Sequence, residues 1–228
     1  MLDFRTDLFN SINPDKEELA VFRDIVSLDR RERLLEEIYC CEFLGFVDKW
    51  RKRVGCLIHP ALVGEDLRDY AFYGAETCAE HKCLSYTYLN MDDVLPVIHA
   101  LDDWYLYGIC VTDIDLIKEF YRFVSELRYE TLKPKKLLNN TEAMSAFREY
   151  LILKENWRYH GKGKRFGQYV FYDGRYFLAD VDWKSLGVER PAEWRILRSL
   201  GSEFKDGSEV EDALRIIRGL IRRVAEAI

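Results

Sequence analysis

Five of the six cysteines in this chain fall between positions 40 and 83. The adjacent pair Cys40 and Cys41 stands in "YCCEF", and Cys56, Cys78 and Cys83 follow inside "GCLIHPALVGEDLRDYAFYGAETCAEHKC". The stretch from Cys56 to about Tyr86 shows neither the 3.6-residue period of a helix nor the two-residue period of a strand. Long segments without secondary structure are uncommon inside compact domains unless they are functional or tied down. The chain must therefore fold around this segment with something to order it, and clustered thiols suit a metal clasp.

That inference depends on compartment. The opening "MLDFRTDLFNSINPDKEEL" carries acids where a secretory signal needs basic residues and an apolar run. No stretch approaches the roughly 18 apolar residues of a membrane span. A cytoplasmic setting is expected, with no membrane partner, and there clustered thiols are metal or redox groups more often than structural disulfides. A net charge of −6 argues against binding nucleic acid through bulk charge, so nucleic acid is not expected as a partner. The 48% hydrophobic and 14% aromatic content is that of a globular chain.

The remaining sequence predicts a mainly α fold of α+β type: a helical, bundle-like body, one β-hairpin near 167–183, and the irregular metal-clasped segment. Asn13 and Pro14 mark the start of a first helix. Ser27 is placed as the cap of a second, which carries Leu34, Leu35 and Ile38 and delivers Cys40 and Cys41 at its end. "DKWRKRVG" reads as a loop or short connector. "MDDVLPVIHALDDWYLYGI" and "TDIDLIKEFYRFVSELRY" have helical periodicity, the second through Ile114, Ile117, Phe120, Tyr121, Val124 and Leu127. Asn140 caps "TEAMSAFREYLILKENW". Asp173-Gly174, between two aromatic runs, is the dipeptide of a type I′ hairpin turn. Ser208 and Glu211 have capping-box spacing ahead of a stripe of Val210, Leu214, Ile217, Ile221 and Val224. Two regions are expected, 1–90 with the cysteines and 91–228 with the hairpin and last helix, or one continuous domain.

Zinc or an iron–sulfur cluster needs about four thiolate or imidazole ligands converging from separate parts of a chain. The spacing C-C-x14-C-x21-C-x4-C offers Cys41, Cys56, Cys78 and Cys83, with Cys40 and His81 as possible substitutes. Adjacent side chains point differently, so one of Cys40 and Cys41 ligates, and Cys41 is nearer the loop. Zinc is the expected cofactor and an iron–sulfur cluster the alternative. The competing reading is that the thiols are small apolar residues in a core, which is the expectation for isolated Cys110; His99 is likewise expected in a core.

The adjacent Cys40-Cys41 and "CLIHP" at Cys56 to Pro60 resemble, in divergent form and over about residues 38–90, the uncharacterised cysteine-cluster family of zinc- or iron-chelating proteins. That resemblance implies metal binding, with Cys78 and Cys83 as the later ligands, and supplies no reaction. The family's earlier cysteine pair is missing here.

Other features are weaker. Glu65, Asp66, Arg68 and Asp69 are expected to satisfy loop backbone rather than line a substrate site. A catalytic zinc would draw its base from Glu65, Glu76 or Glu80. "RYHGKGKRFGQY" places His160, Lys162, Lys164 and Arg165 among glycines and aromatics, the composition of a nucleotide- or RNA-binding loop, though an exposed loop into the hairpin is the plainer reading. Arg215, Arg218, Arg222 and Arg223 read as a solvated helix face. Nucleophile-elbow, dinucleotide and H-E-x-x-H motifs are absent, so no catalytic residue is assigned. The expected function is a metal-binding protein whose zinc site orders the irregular segment for structure or for a protein partner. An iron–sulfur redox protein is the alternative, and a nucleotide- or RNA-binding protein working through 158–169 the second.

Overall fold

The computed structural model describes residues 1–28, 40–162, 165–173 and 175–228. They are mainly helical, with one two-stranded and one three-stranded antiparallel sheet. The chain divides into two compact units, Met1–His81 and Lys82–Ile228, each with its own core.

In the first unit, α1 (Leu2–Asn10) and α2 (Lys16–Leu28) bury one face each. Leu19, Phe22 and Val26 are the buried residues of α2, and they recur at the spacing that puts side chains on one face of a helix. Phe22 stacks on Phe43 with centroids 5.2 Å apart and takes Phe9 edge-on at 5.7 Å, both favoured arrangements for aromatic pairs. The cap of α2 is Asp15, whose carboxylate accepts the Glu17 and Glu18 N–H groups at 3.0 Å, two residues beyond the expected Asn13. Ser27 lies inside α2, donating to the Asp24 carbonyl, and caps nothing. The helix expected to follow it falls largely on residues 29–39, outside those described.

The basic connector turns out to join a short hairpin, β1 (Leu44–Phe46) with β2 (Val54–Cys56), in which Leu44 faces Cys56. Asp48 organises its turn by accepting the N–H groups of Trp50, Lys52 and Arg53. Gly45 lets β1 approach closely: a Cβ there would stand 2.8–2.9 Å from Leu57 and the Thr6 hydroxyl, and one of them would have to shift. That hydroxyl accepts the Phe46 N–H and ties β1 to α1. The stretch read as irregular is a chain of short turns: α3 (Pro60–Val63), a 3-10 turn at Arg68–Tyr70, and α4 (Gly74–Glu80). Elements this short carry too few apolar positions for a period to show.

The second unit opens with α5 (Leu84–Tyr88), α6 (Met91–Ala100) and α7 (Trp104–Thr112). The Asp103 carboxylate starts α7 by accepting the Leu106 N–H, which splits one expected helix into α6 and α7. His99, expected in the core, is exposed on α6. Next come α8 (Ile114–Arg128), α9 (Thr141–Asn156), the sheet β3 (Arg165–Phe166), β4 (Tyr169–Tyr172) and β5 (Arg175–Leu178), then α10 (Trp194–Ser199) and α11 (Gly207–Ala227). Helices α8, α9 and α11 pack together around Phe120, Phe147 and Tyr150, whose rings lie 4.4–6.5 Å apart. The expected α11 stripe is buried throughout, whereas Leu127 of the α8 stripe is exposed and Leu116 is buried instead. Asn140 caps α9 as expected, but α11 is capped by Asp206 rather than Ser208. Strand β5 is the outer strand of its sheet and all four of its residues are exposed.

Candidate functional site

Three of the predicted ligands lie in the first unit. Cys41 precedes β1, and its carbonyl accepts the Leu44 N–H and the Arg5 guanidinium, the latter at 2.8 Å. Cys56 ends β2, and its carbonyl accepts the His59 N–H. Cys78 is exposed on α4. Although far apart in sequence, the three thiols lie within electrostatic reach of one another.

Their surroundings set their chemistry. Burial pushes the half-buried Cys41 thiol up to about 11, the Phe43 N–H partly opposes this, and Glu42, Cys56 and Cys78 add to it. The direction is that of any thiolate losing water and gaining negative neighbours. Burial raises the Cys56 thiol as well; the Ile58 N–H lowers it, Cys78 raises it further, and the Arg68 guanidinium lowers it. Arg68 is the neighbour that sequence reasoning missed as part of this site. The guanidinium is held by Asp66 in a two-point pair at 2.8 and 2.7 Å, the fork geometry that suits a carboxylate. That pair keeps the Asp66 carboxyl at about 2. No sequence signal singles Arg68 out among the charged residues of that loop. Asp69 accepts the Ala75 N–H at 2.9 Å, so these acids do serve loop backbone, as expected. His59 caps α3 through Nδ1, which accepts the Ala61 N–H.

The other candidates stand elsewhere. Cys40 is exposed. His81 is exposed at the end of α4. Cys83 belongs to the second unit, exposed, with its sulfur 2.7 Å from the Ser85 hydroxyl, a contact that lowers its thiol pKa. Cys110 is fully buried, as expected of a core residue. All six thiols are free. Among the described residues no group of three or more His, Cys, Asp or Glu side chains is placed to hold a metal ion as it stands.

The 158–169 loop is largely engaged within its own unit. Arg158 pairs with Asp212, Gly161 N–H donates to Gly201, and Glu203 N–H donates to Tyr159. Lys162 is exposed and Lys164 lies outside the described residues. On α11, Arg215, Arg218 and Arg223 pair with Asp212, Glu193 and Glu149.

No protein-family model, curated protein or solved structure matches the chain. Among the described residues no helix is long and apolar enough to cross a membrane.

Proposed function

We propose that the chain is a cytoplasmic metal-binding protein whose thiols hold zinc and thereby order the segment from Cys41 to Cys83 for structure or for a protein partner. What supports the reading is that Cys41, Cys56 and Cys78, drawn from a pre-strand turn, a strand end and a helix, are close enough for their charges to act on one another. The donor chemistry fits, since the thiols are free and reduced thiols are the soft ligands of structural zinc. The side chains as placed form no metal-holding group among the described residues, and thiols that bound zinc would give up their protons. The fourth ligand is Cys83 by sequence spacing, with Cys40 and His81 as substitutes. Between the cysteines Leu57, Ile58, Leu67 and Ala71 reach the core, but α3 and α4 contribute no buried residue. In such a segment metal binding contributes folding free energy directly. The same donor set would serve an iron–sulfur cluster.

Elemental analysis and a visible spectrum of protein purified without oxygen test this. One zinc per chain without colour sustains the zinc reading. Iron with sulfide and a brown colour replaces it with the iron–sulfur one. Neither metal overturns both. Cys78→Ala is expected to lower metal content and open the 41–81 region to protease.

A further inference from the structure

We propose that Arg190, Arg195 and Arg198, gathered round Trp194 in the second unit, form a binding site for a phosphate group. Their guanidinium carbons lie 4.8, 5.2 and 4.7 Å from the centroid of the one indole. Attraction to the ring favours each cation singly, but three like charges in one neighbourhood repel unless compensated. Compensation is incomplete. Arg195 donates to Glu119 at 2.9 Å and Arg198 to Asp115 at 3.1 Å, while Arg122, which shares Glu119, also pairs with Glu126, so the uncompensated cation is Arg190. Arg190 is exposed and pairs with no carboxylate among the described residues. The Arg198 side chain is only 14% exposed, and its Nε–H is buried without an acceptor.

One free guanidinium fork beside one buried unmet N–H suits a compact, multiply charged acceptor. Guanidinium groups match phosphate in geometry and charge, and a tetrahedral dianion presents acceptors in several directions at once, which a single carboxylate does not. The site shares no residue with the cysteines, so it stands or falls apart from the metal reading.

Calorimetric titration of the full-length protein with inorganic phosphate at constant ionic strength is the test. Saturable binding is expected, at least tenfold weaker in Arg190→Ala and abolished in Arg190→Glu. Arg190 is exposed and outside both cores, so both variants keep the wild-type circular dichroism. Trp194→Phe is expected to remove the ligand-dependent change in indole fluorescence. Phenyl phosphate forms a second arm: tighter binding than inorganic phosphate assigns the site to phosphate esters, equal binding to the free ion, and both sustain the proposal. Heats no larger than a chloride control, or wild-type affinity in both Arg190 variants, overturn it.

Discussion

Single residues carry much of the chemistry because burial decides what each polar atom does. Cys110 packs beneath α9 with its thiol pushed up to about 12, chiefly by desolvation and only partly opposed by Lys154. Below pH 9 the folded and unfolded states both keep this thiol protonated. Between pH 9 and 12 the unfolded chain ionises first, so stability falls as pH rises. At pH 10.5 the loss is about 2 kcal/mol. Urea unfolding at pH 8 and 10.5 checks this, since Cys110→Val should lack that part of the alkaline slope. Lys154 and Asp113 are only 5% and 3% exposed and pair with each other, Lys154 also donating to the Ser199 carbonyl. Lys154→Met strands a buried carboxylate and is expected to cost about 3–5 kcal/mol. Adding Asp113→Asn should recover most of that in the same urea measurement, because an amide oxygen still accepts the Gln168 N–H.

At the scale of elements, helix starts are decided by which carboxylate or amide reaches the free N–H groups. Asp206 accepts from both Ser208 and Glu209 at the head of α11. Asp206→Ala is therefore expected to lower the unfolding free energy, read by thermal melting, by about 1 kcal/mol, and Ser208→Ala by less than about 0.5 kcal/mol. The Ser208–Glu211 box was a plausible sequence pattern that lost to the residue two positions earlier. Long periodic elements were legible in the sequence: α8, α9, α11 and the β4–β5 hairpin all form where their patterns place them. The β1–β2 hairpin was not, because its strands are three residues long and its turn is held by Asp48 rather than by a glycine-rich dipeptide. Within the candidate site the role of Asp66 and Asp69 in satisfying backbone was legible. The influence of Arg68 on Cys56 was not, because nothing in a run of charged loop residues tells which one comes within electrostatic range of a thiol.

Across the whole molecule, the two units differ in how they are held. The second is built on α8, α9 and α11 around a continuous aromatic and aliphatic core, while the first relies on a small core centred on Phe22 and Phe43 with short turns around it. If metal supplies part of the first unit's folding free energy, its removal acts chiefly there. Limited proteolysis with and without a strong chelator is expected to show new cleavage within 41–81 while 82–228 stays resistant. Unchanged cleavage on chelation, or equal loss of protection in both units, would count against a metal clasp.

The exposure of β5 bears on how the protein behaves when concentrated. Tyr176, Phe177 and Leu178 lie along an outer strand on which Arg175, at its start, is the one charge to discourage further pairing. Open edges of this composition are templates for any extended chain that meets them, the first step towards fibrils. Solutions of this protein should accordingly turn cloudy with concentration, and a lysine placed at Tyr176 should act as a gatekeeper that keeps them clear.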